Sequence, residues 1–170
     1  MSPLAFRNVT VDPDAPVEQW PFEAVVTAVE RGGIRDWRHL AAAVADDPWG
    51  PVARQVEEAV ALTEPYGTGP LLLDVVADAR RQAEAAERAA VAEEVAALVR
   101  ASGWSQREFA QRIGTSAPRL STYLSGKVVP SAALMVRMRR VARHAGGRHA
   151  AGRHTGDGSA ERSPARPRSG

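Results

Sequence analysis

Residues 105–127 combine hydroxyl groups, small side chains and cations in a pattern that could contact a nucleic acid. The run SQREFAQRIGTSAPRLSTYLSGK contains two short helical segments that meet at Ile-Gly-Thr-Ser. The outer face of the second segment carries Ser116, Ala117, Arg119, Ser121 and Thr122. Side chains of these types can approach base edges and phosphates without a steric barrier. The run therefore predicts either a DNA-contacting module or an ordinary helical hairpin with a polar face.

The first helix of the pair has clear start and stop signals. Ser105 followed by Glu108 has the spacing of a capping box, so we expect a helix that begins at Gln106. Gly114 permits the left-handed backbone conformation that ends such a helix. The connection around this glycine is short, about three residues, as a helix-turn-helix requires.

The second helix has signals of the same kind. Thr115 or Ser116 can cap its first turn. Pro118 falls within that turn, where its missing N–H leaves no hydrogen bond unmade. Gly126 ends the helix. Both glycines are needed for the turns whether or not DNA binds.

A small apolar core should hold this pair against the helices that precede and follow it. The helical spacing predicts that four helices contribute to one core. Its expected members are Val95, Leu98, Val99 and Trp104, then Phe109, Ala110 and Ile113, then Leu120, Tyr123 and Leu124, and finally Leu134, Met138 and Val141. Ala110 is informative because a small residue lets the second helix cross closely over the first.

Residues 91–142 resemble the Xre family of helix-turn-helix proteins, which is the phage Cro and repressor type. The positions in register are Ser105-Gln106, Phe109-Ala110, Ile113-Gly114, Leu120-Ser121, Tyr123, Gly126-Lys127 and Pro130-Ser131. The resemblance implies a five-helix all-α fold that binds double-stranded DNA, usually as a homodimer on a two-fold operator.

The resemblance also implies which residues contact DNA. By position they are Gln106, Thr115, Ser116, Ala117, Pro118, Arg119, Ser121, Thr122 and Lys127. Gln106 would hold a phosphate, residues 116–118 would form the tip that faces the groove, and Thr122 would lie one turn deeper. Arg119 and Lys127 would lie near the DNA backbone or the groove edge.

The sequence departs from the family at several of these positions. Ala117 and Pro118 stand where many members have polar residues such as Gln, and neither side chain can hydrogen-bond a base. Direct readout would then depend on Arg119 and Thr122, with Ala117 contacting a thymine methyl group. Leu124 replaces a residue that is commonly acidic in the family.

The charge of the chain is divided unevenly along its length. The net charge of +2 over 170 residues combines −7 in residues 1–90, +5 in residues 91–140 and +4 in residues 141–170. An acidic front and a basic back indicate different partners for the two parts, and nucleic acid is the first candidate for the basic part. There is no cysteine, which excludes disulfides and thiolate metal sites.

The rest of the chain predicts an all-α protein: an N-terminal helical bundle, a long connecting helix, a C-terminal repressor-like helix-turn-helix bundle and a disordered tail. Residues 1–70 form an acidic helical domain with three helices, and the break at residues 65–70 ends it. In the second of these helices the apolar stripe comprises Ile34, Trp37, Leu40, Ala41 and Val44.

Residues 71–90 connect this domain to the helix-turn-helix domain at residues 91–143, as one long helix or as two helices joined near Ala89. The alanine-rich connection could be a rigid spacer or a dimer seam. Residues 144–170 are rich in Gly, Pro, Ser and Arg and poor in apolar residues, which predicts a disordered basic tail.

Three functions are consistent with these patterns. The first is a sequence-specific DNA-binding transcriptional regulator. The second is an antitoxin-like autoregulator of a two-protein operon, in which residues 1–70 bind a protein partner. The third is a protein-interaction adaptor with a degenerate helix-turn-helix.

Catalysis, a cofactor and a metal are not expected, because no nucleophile triad, phosphate-binding glycine loop or metal-spaced ligand set occurs. The chain shows neither a secretion signal nor an apolar run long enough to span a membrane, so we expect a cytoplasmic protein.

Overall fold

The structure is a computed structural model that describes residues 11, 12, 14–63 and 67–152, with side chains to residue 145. All regular structure in this described part is helical, as predicted. A 3-10 turn, Val17–Gln19, precedes α1 (Phe22–Arg31), α2 (Ile34–Asp46), α3 (Pro51–Thr63), α4 (Thr68–Ser102), α5 (Gln106–Ile113), α6 (Ala117–Leu124) and α7 (Ala132–Gly152). The chain divides into a front unit, Met1–Glu87, and a rear unit, Arg88–Gly170, and the division falls within α4.

The front unit packs the apolar faces of α1, α2 and α3 against the first turns of α4. The large side chains buried there are Val25 and Val29, Leu40 and Val44, Val52, Val56 and Val60, and Leu72 and Val76. The prediction that Ile34 belongs to the buried stripe of α2 is wrong, because 61% of this residue is exposed. Ile34 is the first residue of α2, and since side chains lean toward a helix N-terminus, it extends past the end of the bundle.

The break predicted over residues 65–70 is shorter than expected. Thr68, Gly69 and Pro70 already belong to α4. Proline is tolerated in a first turn because the N–H groups there have no partner within the helix. Residues 64–66 lie outside the described residues. Of the two alternatives for the connection, one long helix is the correct one.

A charged side chain joins three segments of the front unit. Arg80 on α4 donates from Nη1 and Nη2 to the two carboxylate oxygens of Glu57 on α3, at 2.7 and 3.0 Å. Its Nε donates to the carbonyl of Pro48 at 3.0 Å, which ties the α2–α3 turn to α4. The hydrogen bonds to Glu57 raise the pKa of the Arg80 guanidinium above its ordinary value. These hydrogen bonds from Arg80 constrain the α2–α3 turn, which the apolar core alone would leave less constrained.

The rear unit has its own core, built from the end of α4 and from α5, α6 and α7. Its buried members are Val95, Phe109, Ala110, Ile113, Leu120, Tyr123, Met135, Met138 and Ala142. The other predicted members, Leu98, Val99, Trp104, Leu124, Leu134 and Val141, are partly buried against it. Four helices contribute to this core in the described residues, as the spacing predicted, rather than the five that the family resemblance implied.

The last helix is longer than predicted. We expected the folded part to end at residue 143. This prediction is wrong for residues 144–152, because α7 continues to Gly152. Ala145, two residues past the predicted end, is buried, so packing continues beyond that end. Residues 153–170, the remainder of the predicted disordered tail, lie outside the described residues. In the part of the chain that is described, no helix has the length and apolar character needed to cross a membrane.

The Arg80 contacts lead to a stability prediction. Arg80→Ala should lower the free energy of unfolding of the front unit by about 1 kcal/mol, measured by urea titration of tryptophan fluorescence. The figure is modest because the side chains of Arg80 and Glu57 remain 30% and 38% exposed, so solvent screens the ion pair.

Arg81→Ala is the matched control for this measurement. Arg81 lies next in sequence, forms its one ion pair among the described residues with Asp78 one turn earlier, and is mostly exposed. A loss in Arg81→Ala as large as that in Arg80→Ala would contradict the role given to the Arg80 contacts.

Candidate nucleic-acid interface

A capping box sets the start of α5, as predicted. The backbone N–H of Glu108 donates to Ser105 Oγ at 3.3 Å, and Glu108 Oε2 accepts from the Ser105 backbone N–H at 3.0 Å and from its hydroxyl at 2.7 Å. The hydroxyl hydrogen bond, followed by the backbone one, lowers the pKa of the Glu108 carboxyl. This cap places Gln106, which is exposed, in the first turn of α5.

The turn between α5 and α6 depends on Gly114. Its φ of 74° and ψ of 40° lie in the left-handed region, and its N–H donates to the carbonyl of Gln111 at 3.2 Å. The N–H of Thr115 donates to the carbonyl of Ala110 at 2.9 Å, which closes the end of α5. Glycine adopts this conformation at little cost because it has no Cβ.

An arginine from α7 completes the end of α5. Arg137 Nη1 donates to the carbonyl of Ile113, the last residue of α5, at 2.9 Å. A Cβ placed on Gly114 would lie 3.3 Å from the same Nη1 atom, which is tighter than ordinary van der Waals contact. The absence of a side chain at residue 114 thus serves both the turn and the approach of Arg137.

The start of α6 is capped by Ser116, whose Oγ accepts from the backbone N–H of Arg119 at 3.3 Å. Pro118 lies in the first turn, as predicted. Leu120 and Tyr123 are buried on the inner side of α6. The start of this short helix is therefore set by a local hydrogen bond, and its inner face is held by the core.

The structure places the residues assigned to DNA on α5, on α6 and in the turns beside them. Exposed members are Gln106, Ser116, Pro118, Arg119, Ser121 and Lys127, whereas Thr115, Ala117 and Thr122 are half-buried. The residues assigned to DNA between Thr115 and Thr122 lie in the turn before α6 and along the solvent-facing side of α6. Their contacts with DNA stay a prediction.

Two of these side chains are oriented by contacts within α6. Arg119 Nε donates to the hydroxyl of Tyr123 at 3.0 Å, and its guanidinium carbon lies 5.7 Å from the Tyr123 ring centroid. Thr122 Oγ1 donates to the carbonyl of Arg119 at 2.7 Å. Because its proton is used within the helix, the Thr122 hydroxyl can offer a base an acceptor but not a donor.

Within residues 88–145, the carboxylates of the rear unit are engaged by groups of the same unit. Glu93 pairs with Arg100 at 2.7 Å, and Glu94 accepts from Arg139 at 2.6 and 3.1 Å, which lowers the pKa of the Glu94 carboxyl. Glu108 belongs to the cap of α5. Residues 88–145 contain ten Arg and Lys residues and these three Glu residues. Within that described range, Arg107, Arg119, Lys127, Arg140 and Arg143 have no carboxylate partner within ion-pair distance.

The comparisons with known proteins agree with this geometry. Residues 77–151 match the family model of a helix-turn-helix domain. The matched range begins in α4, ends in α7 and contains every residue assigned to DNA, and it covers less than half of the chain. Neither the curated proteins nor the solved structures gave a significant match. The helix-turn-helix of this chain is thus α5, the Gly114 turn and α6.

Two features near the helix-turn-helix were not predicted. The Arg137 hydrogen bond joins residues 24 positions apart, and no local pattern signals it. The Arg112 guanidinium lies 3.9 Å above the Trp104 ring, a cation–π contact that also requires the tertiary fold. Among the described residues, no group of three or more His, Cys, Asp and Glu side chains could hold a metal ion.

The capping box leads to a pH prediction. Since Ser105 lowers the pKa of Glu108, the stabilisation is present above the ordinary value of 4.5 and is lost as the pH falls through the lowered pKa. Ser105→Ala should raise the pKa of Glu108 toward 4.5, which an NMR titration of its side-chain carboxyl carbon measures. Ser121→Ala, which removes an exposed serine of α6, is the control. An equal rise of the Glu108 pKa in this variant would contradict the role given to Ser105.

The Arg137 contact leads to a second prediction. Arg137→Ala should weaken the end of α5 and increase amide hydrogen exchange at residues 114–116 several-fold, because about 1 kcal/mol of hydrogen-bond stabilisation is lost there. Arg143→Ala removes the same charge from α7 without removing this bond. Equal exchange rates in the two variants would show that Arg137 does not constrain the turn.

Proposed function

We propose that this chain is a sequence-specific transcriptional regulator that binds double-stranded DNA through an Xre-type helix-turn-helix. The single observation that carries the proposal is the solvent-facing side of α6, small and polar, within a unit whose described carboxylates are already engaged. DNA carries a dense row of negative charges, so a surface with unpaired cations has a favourable electrostatic interaction with it. The cytoplasm is the compartment in which such a regulator would meet its operator.

Phosphate contacts supply most of the binding free energy in this proposal. Gln106, in the first turn of α5, donates to a phosphate, and Lys127, just after α6, meets the DNA backbone at the groove edge. Contacts of this kind orient a protein on the duplex without reading the sequence. Each neutralised phosphate makes binding more sensitive to salt, because bound counterions are released.

Base readout depends on few side chains. Arg119 is oriented by Tyr123 through Nε, and this arrangement leaves Nη1 and Nη2 to donate to the O6 and N7 acceptors of a guanine. Thr122 can accept from the amino group of an adenine or cytosine, since its proton is donated within the helix. Ala117 can contact a thymine methyl group, and Pro118 contributes shape only.

We further propose that the regulator acts as a homodimer, which a two-fold operator requires. A dimer of this kind places two copies of α6 one helical turn of DNA apart, about 34 Å.

The antitoxin-like function is a second candidate that one observation favours. The front unit exposes large apolar side chains, with Leu62 67% and Leu71 52% exposed and Trp49 also exposed. Such residues fit the surface of a protein that binds another protein. Here the front unit would bind the product of the neighbouring gene, and the helix-turn-helix would repress their common promoter.

DNA binding should be tested with the full chain and a labelled duplex from the region upstream of its own gene. A scrambled duplex of equal length is the competitor, and fluorescence anisotropy at several salt concentrations gives the affinity and its salt dependence. Arg119→Ala should weaken binding to the specific duplex by about 1–3 kcal/mol and relax the preference over the scrambled one. Lys127→Ala should weaken both and reduce the salt slope by about 0.9.

Arg38→Ala is the control, because Arg38 is an exposed cation of the front unit. If the wild-type chain retains neither duplex at low salt, the regulator proposal fails. If it binds both duplexes equally and Arg119→Ala and Gln106→Ala change nothing, the adaptor alternative is favoured.

A further inference from the structure

A cleft in the rear unit has a positively charged lining that the DNA-binding proposal does not use. It has a volume of about 490 Å³ and is lined by Trp104, Arg112, Arg140, Val141 and His144. Sites for small molecules commonly have volumes in this range. None of the residues assigned to DNA lines it, and none of its lining residues is acidic.

Arg112 is held in place at one wall of the cleft. Its guanidinium carbon lies 3.9 Å from the centroid of the Trp104 ring, in the geometry of a cation–π contact. Its Nη1 also approaches the carbonyl of Glu108 at 3.4 Å. Because these contacts already restrict the side chain, it loses less conformational entropy when it pairs with an anion.

The other lining residues, Arg140, Val141 and His144, come from α7. His144 Nδ1 lies 2.7 Å from the carbonyl oxygen of Arg140, one turn earlier. A carbonyl oxygen can only accept, so Nδ1 carries the proton in this contact and Nε2 remains as the second hydrogen-bonding atom of the ring. Arg140 itself is exposed and has no carboxylate partner within the described part of the rear unit.

Among the described residues, no carboxylate forms an ion pair with Arg112 or Arg140. Glu93 pairs with Arg100, and Glu94 pairs with Arg139. Glu108, one turn before Arg112, accepts from both groups of Ser105; it attracts Arg112 electrostatically but forms no ion pair with it. Like charges that share one cleft repel each other, and a bound anion would remove that repulsion.

We propose that this cleft binds a small organic anion in which a carboxylate or phosphate group is attached to a planar or apolar body. Arg112 and Arg140 pair with the anionic group, because the guanidinium fork matches the oxygens of a carboxylate or phosphate. Trp104 and Val141 contact the apolar body. The site goes beyond DNA binding and would be the place where a small molecule acts on the regulator.

Benzoate is the probe for this site, and benzamide is its uncharged counterpart of nearly the same shape. The full chain is titrated with each, and the indole N–H signal of Trp104, assigned with Trp104→Phe, is followed by NMR. Benzoate should shift this signal with an affinity about tenfold higher than that of benzamide. Arg112→Ala and Arg140→Ala should each weaken benzoate binding by about tenfold.

Two controls remove the same charge outside the cleft. Arg107→Ala on α5 and Arg143→Ala on α7 should leave benzoate binding within about twofold of wild type. Circular dichroism checks that each variant keeps its helical content, and Arg140→Ala, on an exposed face, remains informative if Arg112→Ala does not fold.

Three results would overturn the proposal. The first is an unshifted Trp104 signal at millimolar benzoate, and the second is an equal loss in all four arginine variants, which would indicate overall charge rather than a site. The third is a result showing that the cleft contacts the DNA backbone instead. In that case Arg112→Ala would reduce the salt slope of DNA binding by about 0.9 and leave benzoate binding unchanged. Because the benzoate titration contains no DNA, its outcome is independent of the DNA-binding proposal.

Discussion

The left-handed backbone at Gly114 is the constraint on which the rest of the helix-turn-helix depends. It lets the chain reverse directly after Ile113, so that α6 begins at Ala117 and buries Leu120 in the same core as Phe109. A helix end of this kind leaves carbonyl groups without partners in the helix. Arg137 satisfies the last of them from α7. The orientation of the exposed side of α6 therefore follows from one local conformation and one long-range hydrogen bond.

The charges of the rear unit fall into two groups with different roles. Glu94 with Arg139 joins α4 to α7, and Glu108 caps α5, so these groups hold the fold together. Among the described residues, Arg107, Lys127, Arg140 and Arg143 have no such internal role, and they lie on α5, after α6 and on α7. This division explains how a chain with a net charge of only +2 can present a strongly basic surface. It also accounts for two separate anion-binding surfaces in our proposals, the helix-turn-helix and the cleft beside Trp104.

The front unit uses its charge differently. Its net charge is negative. Arg80, one of its cations, pairs with Glu57 and donates to the carbonyl of Pro48, so this side chain is used within the fold and not to bind another molecule. The apolar groups it leaves in solvent, such as Leu62 and Leu71, are of the kind that binds a protein. A unit with a negative net charge and exposed apolar residues suits the protein-binding role that we propose for it.

The sequence by itself determined the helices and the turn, because their signals act over one or two turns of chain. The capping box of Ser105, the left-handed Gly114 and the apolar spacing of α5 and α6 each depend on near neighbours, and each was predicted correctly. The tertiary structure alone decided the exposure of Ile34, the extension of α7, the Arg137 hydrogen bond and the cleft around Arg112. Those features depend on which residues, distant in sequence, come within a few ångströms of each other in the folded chain. The spacing of residues along one helix does not predict such contacts.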